Sequence, residues 1–175
     1  MQAIDQAVLQ FFVSHRVEWL SYLMLVITYS GGYLVATLVT VLSMVSLAAH
    51  HHPKKILPLA LGVVGNALTI FVLKNIFDKA RPGLGAFYLE SSFSFPSGHS
   101  AIAVALYGYL IYTIWSQNHH SLKKPAIWLL SILVILIGIS RLYLGVHYLS
   151  DVLAGYAVGA IWLAIAIRIS KNLKT

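Results

Sequence analysis

His147-Tyr-Leu-Ser-Asp151-Val-Leu-Ala-Gly-Tyr-Ala-Val-Gly-Ala-Ile-Trp-Leu-Ala-Ile-Ala-Ile167 decides the fold class. Beyond Asp151 this run carries no charge. At about 1.5 Å per residue it reaches across the roughly 30 Å hydrocarbon core of a bilayer. Four more apolar runs, 33–49, 56–73, 100–115 and 125–139, precede it, the second with Pro58 near its start, where proline is tolerated. Of the 175 residues 59% are hydrophobic and 10% charged, against about 25% charged in soluble domains. A water-soluble enzyme and a nucleic-acid binder are thereby excluded. The net charge of +7 does not reverse this, because the basic residues stand at the ends of apolar runs and not on one polar face. The expected fold is all-α: a polytopic transmembrane helical bundle forming one membrane-embedded domain over residues 1–175. Cysteine is absent, which removes disulfides and thiolate chemistry.

Residues 1–16 place Ile4, Ala7, Val8, Phe11 and Phe12 on one side of a helix and Gln2, Asp5, Gln6 and Gln10 on the other. This pattern predicts an amphipathic helix lying in the membrane interface, not a cleavable signal. The next run, 19–29, is too short to cross and stops at Ser30-Gly31-Gly32; it reads as a partial or packed helix. The bundle accordingly has five or six spans, with the amino terminus outside for five and inside for six. Seven of the twelve Lys/Arg residues (Lys54, Lys55, Lys123, Lys124, Arg168, Lys171, Lys174) and none of the five acids fall on one side. The positive-inside rule makes that side cytoplasmic.

Three polar clusters meet on the other face: Lys74 to Arg81-Pro82, Pro96-Ser97-Gly98-His99, and Ser140-Arg141 with His147 and Asp151. Lys74, Arg81 and Arg141 supply three cations, two of them forked donors suited to tetrahedral oxyanions. Ser97 and Gly98 open a helix whose free N–H groups and dipole favour a phosphate. His147 and Asp151 are four apart, so a continuous helix puts them on one face, the carboxylate orienting an imidazole nucleophile. His99, on another helix, is placed to protonate the leaving oxygen. The reading is in-line attack of His147 on phosphorus, a phosphohistidine, then hydrolysis, with the cations stabilising the equatorial oxygens. The polar connection 75–95 is long enough to be functional.

Lys74-x6-Arg81-Pro82, Pro96-Ser97-Gly98-His99 and Ser140-Arg141-x5-His147-x3-Asp151 resemble the three signature motifs of the type 2 phosphatidic acid phosphatase family, relatives of vanadium haloperoxidases. Eleven fixed identities occur in order across residues 74–151. The resemblance implies a metal-independent lipid phosphatase without cofactor. It assigns His147 as nucleophile, Asp151 as its partner, His99 as general acid, and Lys74, Arg81, Ser97, Gly98 and Arg141 as phosphate ligands. Many bacterial members carry one more full span before the amphipathic helix, so the departure lies at the front of the chain.

Singly, each of these residues has a plainer reading: snorkelling cations, a hydrogen-bonded core histidine, a helix cap. Their segregation onto one face is what the plainer readings leave unexplained. A metal site of His99, His147 and Asp151 is opposed by three nearby cations. Asp78, Lys79 and Glu90 read as residues solvating their loop, and His50–His52 and His119-His120 as solvated loop histidines. Gly155 and Gly159, an i, i+4 pair, predict close helix packing, with oligomerisation through them left open. The partners expected are a membrane lipid phosphate and the bilayer, with no nucleic acid; the oligomeric state is not legible. Undecaprenyl pyrophosphate stands first as substrate, followed by phosphatidylglycerophosphate, phosphatidic acid and the 1-phosphate of lipid A. Vanadate-dependent halide oxidation and non-hydrolytic lipid binding or transport are the alternatives of other classes. The expected location is a bacterial inner membrane, multi-pass, with the site extracytoplasmic.

Overall fold

The computed structural model describes residues 1–83, 85–116 and 123–173. His119-His120, Lys174 and most of the 117–124 connection lie outside the described residues. Helices α1 (Gln2–Ser14), α2 (Glu18–Tyr29), α3 (Tyr33–Ala49) and α4 (Ile56–Phe77) are followed by a long loop. Then come α5 (Gly98–Ile102), a π-helical stretch (Ala103–Tyr107) that joins it to α6 (Gly108–Trp115), α7 (Lys123–Tyr143) and α8 (Leu149–Asn172). No strand occurs among the described residues.

Three of these helices are long and apolar enough to cross a membrane: Pro53–Phe77 (α4 with its leading turn), α7 and α8. The pair α2 and α3, bent by 45° at Ser30-Gly31-Gly32, passes the same test as one broken span. Their outer surfaces are what a bilayer requires, with Leu34, Leu68, Leu129 and Ile161 all at least 60% exposed. The protein is therefore a helical membrane protein.

Packing brings the polar ends together. α5 and α8 run parallel at backbone contact: a Cβ on Gly155 would meet the Ser97 carbonyl and Ser100, and one on Gly159 the Ala101 carbonyl and Val104. The expected close packing of these glycines is thus within the chain. Ser97 N–H donates to the Asp151 carbonyl at 3.0 Å, pinning the two helix starts to each other. At the opposite end Lys55 Nζ donates to Ser116 Oγ at 2.8 Å, joining the start of α4 to the end of α6.

The amphipathic pattern of residues 1–16 forms helix α1, with one polar residue of the pattern, Asp5, turned into the protein. Ile4, Ala7 and Phe11 are exposed while Asp5 and Leu9 are buried. Asp5 is drawn inward by Ser150, whose N–H and Oγ donate to its carboxylate at 2.8 and 2.6 Å. A carboxylate with two such donors gains more from the protein than from the interface. Arg16, just after α1, donates to the carbonyls of Tyr143 and Gly85, tying the long loop to the end of α7.

Candidate active site

Lys74 sits in the last turn of α4, Arg141 in the last turn of α7, and Ser97 caps α5, with Gly98 and His99 in its first turn. Arg81 comes from the loop 78–97. Its guanidinium is fixed by the carbonyls of Ser92 (2.6 Å) and Val146 (2.8 Å) and by Ser92 Oγ (3.0 Å). Arg141 is fully buried and donates to Thr28 Oγ1 (2.7 Å) and to the Tyr88 hydroxyl, with its Nε left unpartnered. Lys74 donates to the Phe93 carbonyl. The Glu90 carboxylate bridges the two arginines, 2.6 Å from Arg81 Nη2 and in contact with Arg141 Nη2. Burial pushes the Glu90 carboxyl up, but the charge and hydrogen bond of Arg141, with the charge of Arg81, outweigh it and bring it to about 2. A resident anion therefore occupies the two forked donors.

His147 and Asp151 do come together, though by another route than a shared helical face. α8 begins only at Leu149, so His147 lies in the preceding loop, and Asp151 stands in the first turn. There its Oδ2 accepts the Tyr148 N–H at 2.9 Å, a capping bond that folds the chain back and leaves His147 Nδ1 3.5 Å from the same oxygen. Ser94 Oγ donates to that oxygen at 2.5 Å and lies 3.3 Å from Nδ1. Lys79 Nζ holds the other oxygen at 2.7 Å. On its far side His147 Nε2 faces Arg81 Nη1 at 3.1 Å. Burial lowers the imidazole to about 3 against the opposing pull of the Asp151 hydrogen bond, so it is neutral at ordinary pH.

Ser97 is buried, and its Oγ accepts the Ser100 hydroxyl at 3.1 Å, so its resting role is that of the cap. His99 is half-buried beside the Gly31-Gly32 elbow. With Lys74 and Gly98 it lines a cavity of about 340 Å³ whose other walls are apolar residues of α3, α4 and α5, such as Ala36, Ile70 and Ile102. The polar exceptions are Thr37 and the buried Asn66.

Sequence reasoning missed Ser94, Lys79, Glu90, Tyr88 and Thr28. Lys79 and Glu90 were expected to solvate their loop; each instead makes an ion pair inside the site, because the loop folds back over α8 and α7. Asp78 does remain exposed. No spacing rule marks these positions; only the length of the loop hinted at them. Among the described residues no three His, Cys, Asp or Glu side chains are grouped to hold a metal ion.

Fold and site together define a helical membrane protein that gathers Lys74, Arg81, Arg141, His99 and His147 at one end of its helices. Residues 55–174 match the family model described as the PAP2 superfamily. Phosphatidylglycerophosphatase B of Bacillus subtilis (strain 168) is 30% identical, over 99% of this chain and 87% of that protein. A crystal structure of a transmembrane PAP2 type phosphatidylglycerolphosphate phosphatase from Bacillus subtilis superposes with a TM-score of 0.90 at 30% identity, over 98% of this chain and 86% of that one. The structure of Aquifex aeolicus LpxE shares the fold, with a TM-score of 0.75 at 24% identity over 94% of each chain. The chain belongs to the PAP2 superfamily of membrane lipid phosphatases, and it is an enzyme that hydrolyses phosphate esters.

Proposed function

We propose that this protein removes a terminal phosphate from a membrane lipid by way of a phosphohistidine on His147. Arg81 Nη1 can only donate, so the His147 Nε2 that faces it presents a lone pair, and Nδ1 carries its proton toward Asp151 and Ser94. In-line attack by Nε2 forms the N–P bond as the lipid oxygen leaves, protonated by His99. Water, giving its proton to His99, then attacks phosphorus and the N–P bond breaks, returning neutral His147, reprotonated His99 and free phosphate. Lys74, Arg81, Arg141 and the Ser97-Gly98 helix start would stabilise the equatorial oxygens once Glu90 swings aside.

One observation carries the lipid part of the reading: the mostly apolar cavity between α3, α4 and α5 is also lined by Lys74 and His99, which suits a phosphate on a hydrocarbon tail. The whole-chain likeness to a protein named phosphatidylglycerophosphatase B puts phosphatidylglycerophosphate first among substrates. Undecaprenyl pyrophosphate, placed first by the sequence, has no specific support from these likenesses and drops behind it.

Five crossings fit the packing: the bent α2–α3 pair, α4, the α5–α6 rod, α7 and α8. Each runs between the catalytic end and the end marked by Lys55, Arg168 and Lys171. α1 would lie in the interface at the catalytic end, with the amino terminus outside. That arrangement supports a bacterial inner membrane with an extracytoplasmic site. The test is phosphate release by detergent-purified protein across phosphatidylglycerophosphate, phosphatidic acid, undecaprenyl pyrophosphate and lipid A, beside His147→Ala. Release confined to wild type and fastest on phosphatidylglycerophosphate is expected. Equal release by His147→Ala would reject the nucleophile, and a faster rate on another lipid would reassign the substrate.

A further inference from the structure

We propose that Lys79 is a positioning residue for the His147–Asp151 pair and that Asp5 couples α1 to it. The inference rests on the reading of His147 as nucleophile. Lys79 belongs to the six spacer residues between Lys74 and Arg81, so no motif position accounts for it. Its ammonium lies 2.7 Å from Asp151 Oδ1, 2.9 Å from Ser150 Oγ and 3.6 Å from Asp5 Oδ2, and sits over the Tyr148 ring at 4.5 Å. The two carboxylates it joins are both buried, Asp151 completely.

The geometry says what this contact does. Asp151 Oδ2 must face His147 Nδ1 to orient the imidazole. Ser94 and the Tyr148 N–H hold Oδ2, and Lys79 is the partner of Oδ1. The carboxylate torsion is soft, so a buried oxygen without its donor is free to turn toward another one, and Oδ2 turns with it. Lys79 also separates the Asp5 and Asp151 charges, which otherwise repel in a region of low dielectric. Asp5 accepts from Ser150 N and Oγ, so the docking of α1 sets where the Lys79 ammonium rests. Lys79 makes none of the contacts made by Lys74, Arg81 or Arg141. Its effect therefore belongs in the chemical step and not in substrate affinity.

The experiment measures kcat and KM for phosphate release by detergent-purified Lys79→Met, Lys79→Arg, Asp5→Asn, Lys79→Met/Asp5→Asn and His147→Ala. Lys79→Met is expected to lower kcat about tenfold or more with KM changed less than about twofold, as loss of an orienting partner does. Lys79→Arg, which keeps the charge, restores most of the rate. Asp5→Asn lowers kcat less than Lys79→Met does, and adds little in the double variant, because the two act through one contact. Wild-type kcat in Lys79→Met beside an inactive His147→Ala overturns the proposal, as does a loss that Lys79→Arg does not rescue. Turnover by His147→Ala instead overturns the reading of the nucleophile. Should Lys79→Met not fold, Asp5→Asn decides alone: a lower kcat at unchanged KM supports the coupling, and an unchanged kcat overturns it.

Discussion

Arg81 Nη1 stands 3.1 Å from His147 Nε2, so in the proposed mechanism the guanidinium that would bind the phosphate also marks the nitrogen that would attack it. In that mechanism the proton stays on Nδ1, held there by Asp151. Asp151→Asn preserves the shape but offers an amide whose NH₂ favours the other tautomer. It is expected to cost about 10³- to 10⁴-fold in kcat, by analogy with the orienting aspartate of serine hydrolases. Steady-state phosphate release measures this; a loss below about tenfold would remove Asp151 from the mechanism.

Glu90 competes for the two arginines. Glu90→Gln should tighten inhibition by inorganic phosphate and by vanadate roughly tenfold, equivalent to about 1.4 kcal/mol. Inhibition constants for both anions are the readout. Weaker inhibition would mean that Glu90 serves chiefly to aim the guanidiniums.

Acid should destabilise the fold in two windows. The Glu90 carboxyl, at about 2 against an ordinary 4.5, contributes stability above pH 4.5 that is lost as pH falls toward 2. The His147 imidazole, at about 3 against 6.5, stays neutral when folded while the unfolded chain takes up a proton, so stability declines from pH 6.5 toward 3. Thermal unfolding in detergent should show Tm falling between about pH 7 and 5 in wild type. His147→Gln should make that fall shallower, and identical slopes in the two proteins would contradict the assignment.

Gly155 and Gly159 let α5 and α8 touch. Gly159→Leu is expected to destabilise by about 1–3 kcal/mol through overpacking. Gly155→Ala should reduce activity more than its loss of stability explains, since the Ser97 carbonyl must move. Unfolding curves and kcat measured on the same preparations separate the two effects.

Turnover should survive EDTA. Both oxygens of Asp151 are already engaged by Lys79, Ser94 and the Tyr148 N–H, which leaves a divalent ion no ready carboxylate. Loss of activity restored by adding back a divalent ion would refute this.

The helices and the eight candidate site residues among the motifs were legible because both follow short-range rules: apolar runs long enough to cross, and fixed spacings at helix ends. The same spacing misled in one detail. A separation of four between His147 and Asp151 suggested a shared helical face, whereas the chain reaches the same proximity through a cap. Asp5 was legible as a polar residue on an amphipathic helix, but its burial depends on Ser150, 145 residues away. Glu90, Ser94 and Lys79 depend on how a loop folds over two helix ends, and no periodicity encodes that.

The seam between α5 and α8 also divides the molecule mechanically. Backbones in contact have no compliant side chains between them, so the piece carrying His99 and the piece carrying Asp151 shift as one rigid block. α3, by contrast, packs into the core through Ala36 and Leu47 but borders a cavity next to its glycine elbow. Give in the bundle is therefore concentrated on that flank. A lipid reaching the cavity sideways from the bilayer would pass beside α3 and leave the α5–α8 seam untouched.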